Sequence, residues 1–159
     1  MARHVSATFI DPARMRVEAR GSRGIVAMDS GPPDGDGSAM SPREVVLAAL
    51  AGCSSMDVAS VMRKKRQVMA AYTIEVDAEE ATDYPQLYTA ITVEHRVSGD
   101  VEIEALRRAI ELSATRYCPV SALLSKGVEI EHRYRVTLPD GSLRTGLVVV
   151  TGPDGARPG

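Results

Sequence analysis

Cys53 and Cys118 are the residues of this chain best suited to chemistry. They are the only two cysteines in the 159-residue sequence. Such a pair has three ordinary uses: two small buried side chains, metal ligation, or a redox couple that closes to a disulfide. A metal such as zinc needs about four ligands at regular spacings. The histidines His4, His95 and His132 form no such pattern with each other or with the cysteines. We therefore expect no metal site and no cofactor.

The two cysteines lie in different local contexts. Cys53 falls inside a long apolar helix, where the small residues 52–55 interrupt the large side chains, so the helix can open there toward a cavity. Cys118 precedes Pro119, which suits the first position of a helix, and a thiol at a helix N-terminus has a lowered pKa. Simple burial of Cys53 and simple capping by Cys118 remain the alternatives.

The bulk composition narrows the classes of function. The formal charge of -2 and the pI near 5.9 come from interspersed acids and bases, so neither nucleic acid nor a membrane surface is an expected partner. The N-terminus lacks the pattern of a signal peptide, and we expect no apolar run long enough to span a bilayer. A cytoplasmic location follows, and a permanent structural disulfide is not expected there.

The N-terminal third predicts a meander of three strands, because short runs alternate apolar and polar residues between turn formers. Residues 30–40 consist mainly of turn formers and predict a surface loop or lid. Ser41, Pro42 and Glu44 then match a helix start, with serine as cap, proline at the first position and glutamate completing a capping box. This helix is apolar on every side over residues 45–51, and Val58, Val61 and Met62 continue its apolar surface as far as the basic residues 63–66. We therefore expect it to be buried all round, partly by a second subunit.

The rest of the chain predicts two further strand regions separated by helices. A hairpin at 72–97 precedes a helix that Asp100 caps, and a short helix begins after Cys118. The clearest strand covers residues 128–138. Residues 139–159 predict an edge strand and a disordered tail. The chain therefore predicts one α+β domain with its core at about residues 5–138.

Two segments together are similar to a known family. Residues 41–53, SPREVVLAALAGC, and residues 116–121, RYCPVS, resemble the OsmC/Ohr family of osmotically induced and organic hydroperoxide resistance proteins, and most closely its YhfA-like branch. The resemblance covers about residues 14–138. It implies an α+β fold with antiparallel sheets around a long buried central helix, an intertwined homodimer, and thiol peroxidase activity at the subunit interface.

The resemblance also implies roles for individual residues. By position, Cys53 would be the peroxidatic thiolate and Cys118 the resolving thiol. Attack on an organic hydroperoxide would leave a sulfenic acid on Cys53, which condenses to a Cys53–Cys118 disulfide, and a lipoyl-type dithiol would reduce it. The activating arginine would be Arg23, with Arg20 as the alternative, and Glu44 would hold it.

This sequence departs from the family pattern at the helix start. Peroxidase branches carry the acid at the position of Arg43, one residue before Glu44, so Glu44 can also be only the capping-box partner. Four residues would line the peroxide pocket: Met28, Met40, Leu50 and Met56. A non-catalytic protein that senses redox state or binds a small ligand through the same cysteine pair remains an alternative, as does a cysteine hydrolase.

Overall fold

The computed structural model describes residues 3–159. The chain divides into two compact units, the first ending at Ala48 and the second beginning at Ala49, and the boundary falls within the long helix α1 (Pro42–Lys64). Two sheets and this helix confirm the predicted α+β class.

An antiparallel meander forms the sheet of the first unit, as the sequence predicts. Its strands are β1 (Ser6–Asp11), β2 (Arg16–Gly21) and β3 (Gly24–Met28). The predicted loop follows at residues 29–41. Its first residue, Asp29, is buried, and its carboxylate accepts hydrogen bonds from the backbone N–H and the hydroxyl of Ser38, at 2.8 and 2.6 Å. These bonds fold the loop back on itself.

The start of α1 has the predicted capping box. The backbone N–H of Ser41 donates to Glu44 Oε2 at 2.7 Å, and the backbone N–H of Glu44 donates to Ser41 Oγ at 3.2 Å. These bonds satisfy two N–H groups that a helix start otherwise leaves without partners. They also hold the pKa of Glu44 below its usual value, with the Ser41 backbone bond as the main cause.

In the single chain only one face of α1 is buried, so the prediction that the helix is buried all round, partly by a second subunit, stays a prediction. One face is buried, through Leu50, Ser54, Val58, Val61 and Met62, which follow the spacing of successive helical turns. The other face is open, and Met56 there is 73% exposed. No side chain of the described residues therefore covers the apolar surface around Met56 in the middle of this helix.

The sequence prediction that no segment could span a bilayer also needs correction. By length and apolar composition alone, α1 is sufficient to cross a membrane. The same composition is typical of core helices in soluble proteins, so it does not by itself indicate a membrane protein.

A mixed five-stranded sheet forms the second unit, in the order β4-β5-β6-β7-β8. Its strands are β4 (Ala71–Glu80), β5 (Tyr88–Ser98), β6 (Ile130–Thr137), β7 (Leu143–Gly152) and β8 (Gly155–Pro158). The pairing of β4 with β5 confirms the predicted hairpin. The neighbouring strands of the described residues pair antiparallel, as the resemblance implies, except for β5 and β6, which pair in parallel. A parallel pair needs a long crossover, and the intervening helices provide it.

The crossover contains α2 (Ile103–Leu112), a π-helical turn (Ser113–Tyr117) and α3 (Pro119–Leu124). Asp100 does not cap α2 as predicted. The helix begins after Glu102, whose backbone N–H donates to the side chain of Gln67 at 2.8 Å. The partner of this N–H at the helix start is therefore a side chain distant in sequence.

The C-terminal segment forms more secondary structure than the sequence predicts. The predicted edge strand is the ten-residue β7, an internal strand, and the predicted disordered tail contributes β8 as the edge. Val149 and Val150 in β7 are buried and pair with Pro158 and Arg157. The apolar run in β7 therefore belongs to the core.

Two histidines lie in the interior of the second unit. His95 on β5 and His132 on β6 are almost fully buried, in the apolar register that the sequence indicates. The hydroxyl of Tyr72 and Nδ1 of His95 are 2.7 Å apart. Burial lowers the pKa of His95 to about 3, with a smaller contribution from His132, and burial lowers the pKa of His132 to about 4. Both histidines are therefore neutral in the folded chain at pH 7.

Acid should destabilise this fold through the two buried histidines. Their folded pKa values lie below the unfolded value of 6.5, so the unfolded chain takes up protons first as the pH falls. Stability present above about pH 6.5 is then lost toward pH 4, at about 1.4 kcal/mol per pH unit for each histidine. We expect His132→Gln to reduce the slope of unfolding free energy against pH by about that amount, measured by urea denaturation between pH 6 and 5.

The exposed His4 supplies the matched control, and we expect His4→Gln to leave the slope unchanged. The comparison uses the slope and not the absolute free energy, because a substitution in the core also changes packing. Equal slopes for the wild type and His132→Gln would contradict the prediction.

Candidate functional site

The second unit brings the two cysteines together. Cys53 lies on α1 and is partly buried, whereas Cys118 is buried immediately before α3, and neither forms a disulfide. The two Sγ atoms and a carboxylate oxygen of Asp57 all lie within 4.8 Å of one another. A disulfide has an S–S distance of about 2.0 Å, so the two sulfur atoms would have to approach each other to form one.

Cys118 occupies the predicted N-cap position of α3. Its Sγ accepts a hydrogen bond from the backbone N–H of Ser121 at 3.3 Å, and the hydroxyl of Ser54 donates to it at 3.8 Å. The Cys118 backbone N–H in turn donates to the carbonyl of Ser113 at 3.0 Å, at the π-helical turn. Both sides of the cysteine are thus fixed, the backbone by this turn and the sulfur by two donors.

Asp57 is the acidic member of the cluster, and the sequence analysis does not identify it. It follows Cys53 by four residues on α1, a spacing that places two side chains on one face of a helix. The hydroxyl of Ser113 donates to Asp57 Oδ2 at 3.2 Å. Partial burial raises the pKa of Asp57, and the Ser113 hydrogen bond opposes this. The four-residue spacing from Cys53 is the feature of the sequence that could have identified Asp57 as a neighbour of the cysteine.

The surroundings of Cys53 disfavour its thiolate. Burial is the main cause that raises its pKa to about 11, and the Cys118 thiol and the charge of Asp57 act in the same direction. A hydrogen bond from the backbone N–H of Val120 acts against them. Because the thiolate is the reactive form of cysteine, attack by Cys53 at neutral pH needs a compensating positive charge.

The first unit contains most of the other residues that the resemblance singles out. Arg20 lies on β2 and Arg23 in the turn between β2 and β3, and Glu44 is occupied in the capping box. Met28 lines an apolar pocket of about 440 Å³ with Phe9, Met15 and Val17. Met40 is exposed at the end of the loop.

The two remaining pocket candidates lie on α1 within the second unit. Leu50 is fully buried, whereas Met56 is exposed on the open face of the helix. The two side chains therefore face different surroundings in the single chain. The peroxide pocket predicted from Met28, Met40, Leu50 and Met56 stays a prediction.

The fold and its facing thiols define a small α+β protein with a dithiol site. The chain belongs to the OsmC-like family, whose model, described as OsmC-like protein, matches residues 35–133. Protein YhfA of Escherichia coli K12 is 40% identical over 99 residues, which cover 62% of this chain and 74% of YhfA. The predicted resemblance to the OsmC/Ohr family and its YhfA-like branch is confirmed.

Solved structures show the same fold. A hypothetical protein from Aquifex aeolicus VF5 aligns with a TM-score of 0.78 at 23% identity, covering 87% of this chain and 98% of its own. The organic hydroperoxide resistance protein OhrB of Bacillus subtilis aligns with a TM-score of 0.62 at 15% identity, covering 84% of this chain and 98% of its own. Proteins named for hydroperoxide resistance are thus among the structural relatives.

The charge of Asp57 should slow the alkylation of Cys53. Replacement by asparagine removes a negative charge that raises the pKa of Cys53, so a larger fraction of the thiol is ionised at a given pH. We expect Asp57→Asn to increase the rate at which iodoacetamide modifies Cys53 at pH 8, followed by mass spectrometry of the Cys53 peptide.

Glu104→Gln is the matched control, since this carboxylate on α2 is 87% exposed and pairs with Arg107. It removes one negative charge from the same unit, and we expect no change in the rate at Cys53. A rate in Asp57→Asn equal to or below that of the wild type would contradict the electrostatic assignment.

Proposed function

We propose that this protein is a thiol-dependent peroxidase that reduces organic hydroperoxides. The observation that carries the proposal is the approach of the Cys53 and Cys118 sulfur atoms to within 4.8 Å. Membership of a family with hydroperoxide resistance proteins among its structural relatives supports the choice of substrate. The proposal includes a cytoplasmic location, where cellular reductants keep such thiols reduced.

The proposed reaction uses the two cysteines unequally. The Cys53 thiolate attacks a peroxide oxygen, the O–O bond breaks, and the alcohol leaves after it takes a proton, so that Cys53 becomes a sulfenic acid. The Cys118 thiol then attacks this sulfur and releases water, which forms the Cys53–Cys118 disulfide. A dithiol, of the lipoyl type by family resemblance, reduces it through a mixed disulfide. Cys53 is the attacking residue because it is the more exposed of the two.

Activation of Cys53 requires a positive charge, because its surroundings raise its pKa. We assign this role to Arg23, with Arg20 as the alternative, and we assign Glu44 to support the arginine. These roles rest on family resemblance. The capping box gives Glu44 a structural role in any case, since both its carboxylate and its backbone N–H bond to Ser41.

Turnover tests the peroxidase. We expect purified protein to consume tert-butyl or cumene hydroperoxide with dihydrolipoamide as reductant, because the two sulfur atoms lie within 4.8 Å of each other. Cys53→Ser should reduce the rate by at least about a hundredfold, since it removes the nucleophile. Cys118→Ser should instead accumulate a sulfenic acid that dimedone traps on Cys53.

The same assay separates the roles of the charged residues. Glu44→Gln can keep the capping box, because glutamine also serves at this position, so a loss of turnover without a loss of stability would support the assigned charge role. Arg23→Gln and Arg20→Gln distinguish the two arginines. Absence of turnover with several dithiols, despite two titratable thiols, would refute the enzyme and leave redox sensing by the same pair.

We further propose that a second copy of this chain covers the open face of α1. The exposed Met56 and the apolar composition of the helix support an apolar interface at this face. A homodimer is also what the family resemblance implies. The Cys53 site, on the same helix, would then lie close to the subunit interface.

A charge on the open face should dissociate this dimer. We expect the wild type to have twice the 17.0 kDa mass of the chain in light scattering coupled to size exclusion, and Met56→Glu to shift the population to monomer, because a buried unpaired charge is costly. Met56→Leu is the matched control and should remain dimeric. A monomeric wild type would contradict the proposal.

A further inference from the structure

The cysteine pair has a third neighbour that the peroxidase reaction does not use. A carboxylate oxygen of Asp57 lies within 4.8 Å of both sulfur atoms. In tetrahedral zinc coordination, bonds of about 2.3 Å to sulfur and about 2.1 Å to oxygen separate neighbouring ligand atoms by about 3.6 to 3.8 Å. Contraction by at most about 1.2 Å would therefore bring the three atoms to the spacing of a zinc site.

We propose that Cys53, Asp57 and Cys118 together bind one thiophilic divalent metal ion of the zinc class in the reduced protein. Two thiolates and one carboxylate provide three ligands and leave a fourth position for water, which is the arrangement of open zinc sites. Sulfur ligands select zinc over magnesium and calcium, which prefer oxygen. Binding exchanges two thiol protons for the metal ion, so two protons are released per ion bound.

The framework around the three ligands suits a metal site. Cys53 and Asp57 are one turn apart on α1, so the helix fixes their separation. Cys118 is held at the start of α3, where the backbone N–H of Ser121 donates to its sulfur at 3.3 Å. These ligands lie on secondary structure and at a cap, which hold a site more closely than flexible loops do.

Outer hydrogen bonds also orient the ligands. The hydroxyl of Ser113 donates to Asp57 Oδ2 at 3.2 Å, and the backbone N–H of Val120 bonds to the sulfur of Cys53. A carboxylate offers about four lone-pair sites, so one hydrogen bond leaves capacity for a metal. Groups of this kind fix ligand geometry and strengthen metal binding in known sites.

The expectation of no metal site came from counting only cysteines and histidines. Cysteines and histidines provide only two neighbouring ligands at this site, Cys53 and Cys118, and the carboxylate of Asp57 supplies the third. The proposal is independent of the peroxidase activity, because metal binding by the reduced thiols requires neither a peroxide nor turnover with a dithiol. It also gives the reduced cysteine pair a second state, in which the metal engages both sulfur atoms and blocks disulfide formation.

Cobalt titration tests the site directly. We expect the fully reduced wild-type protein, kept reduced with a phosphine and without oxygen, to bind one Co²⁺ per chain. The spectrum should contain thiolate-to-cobalt charge-transfer absorption and the strong visible bands of tetrahedral cobalt. Zn²⁺ should displace the Co²⁺ and remove these bands, since zinc prefers the same ligands.

Three variants resolve the ligands. Cys53→Ser and Cys118→Ser should each lose most of the charge-transfer absorption and tight binding. Asp57→Asn should keep the absorption and bind Zn²⁺ at least about tenfold more weakly, measured by competition with a chromogenic chelator. Glu104→Gln is the control and should match the wild type.

Wild-type protein whose two thiols have been blocked with iodoacetamide provides a check that involves no substitution, and it should bind no Co²⁺ at this site. Absence of thiolate absorption in the reduced wild type would overturn the proposal, as would equal Zn²⁺ affinities of Asp57→Asn and the wild type. Metal binding without peroxide turnover would refute only the peroxidase, and turnover without metal binding would refute only the metal site.

Discussion

The close approach of α1 to the start of α3 is the constraint on which the candidate site depends. Two fully buried serines lie at this contact: the hydroxyl of Ser54 on α1 and the backbone N–H of Ser121 on α3 both donate to the sulfur of Cys118. Because protein interiors are close-packed, a larger side chain at either position would push the helices apart. The small size of both residues therefore allows the two sulfur atoms to lie within 4.8 Å of each other.

Local patterns in the sequence were sufficient to predict the parts of this arrangement that depend on neighbours in the chain. The Ser41–Glu44 capping box and the helix start at Cys118 both need only residues within three positions, and the structure has them as predicted. The inward register of β6, with His132 and Tyr134 buried, also follows from period-two alternation. The facing of Cys53 and Cys118, by contrast, was expected from family resemblance and not from any local pattern.

The features that sequence reasoning missed depend on contacts between distant segments. The side chain of Gln67 accepts the backbone N–H of Glu102, the residue at which α2 begins, and the predicted cap Asp100 lies two residues earlier. The polar C-terminal residues become β8 because β7 offers them an unpaired edge. In the sequence, Asp57 is only a charged residue on an apolar helix. In the structure, the hydroxyl of Ser113 in the crossover donates to its carboxylate, which lies next to the cysteines. A local sequence pattern cannot identify partners that are distant in the chain. The four-residue spacing of Cys53 and Asp57 could, however, have placed both side chains on one face of the helix.

The electrostatics of the cysteine site unite its two proposed roles. Burial, Cys118 and Asp57 raise the pKa of Cys53 to about 11, so its thiolate forms at neutral pH only when a positive charge compensates. A guanidinium and a metal ion can each supply that charge, with different consequences.

An arginine beside Cys53 would stabilise one thiolate and leave the second thiol available to resolve a sulfenic acid. A metal ion engages both sulfur atoms and Asp57 together, which prevents disulfide formation while it remains bound. Asp57, whose charge adds to the effect of burial on the Cys53 pKa, is therefore also the group that would complete a metal site with the reduced pair.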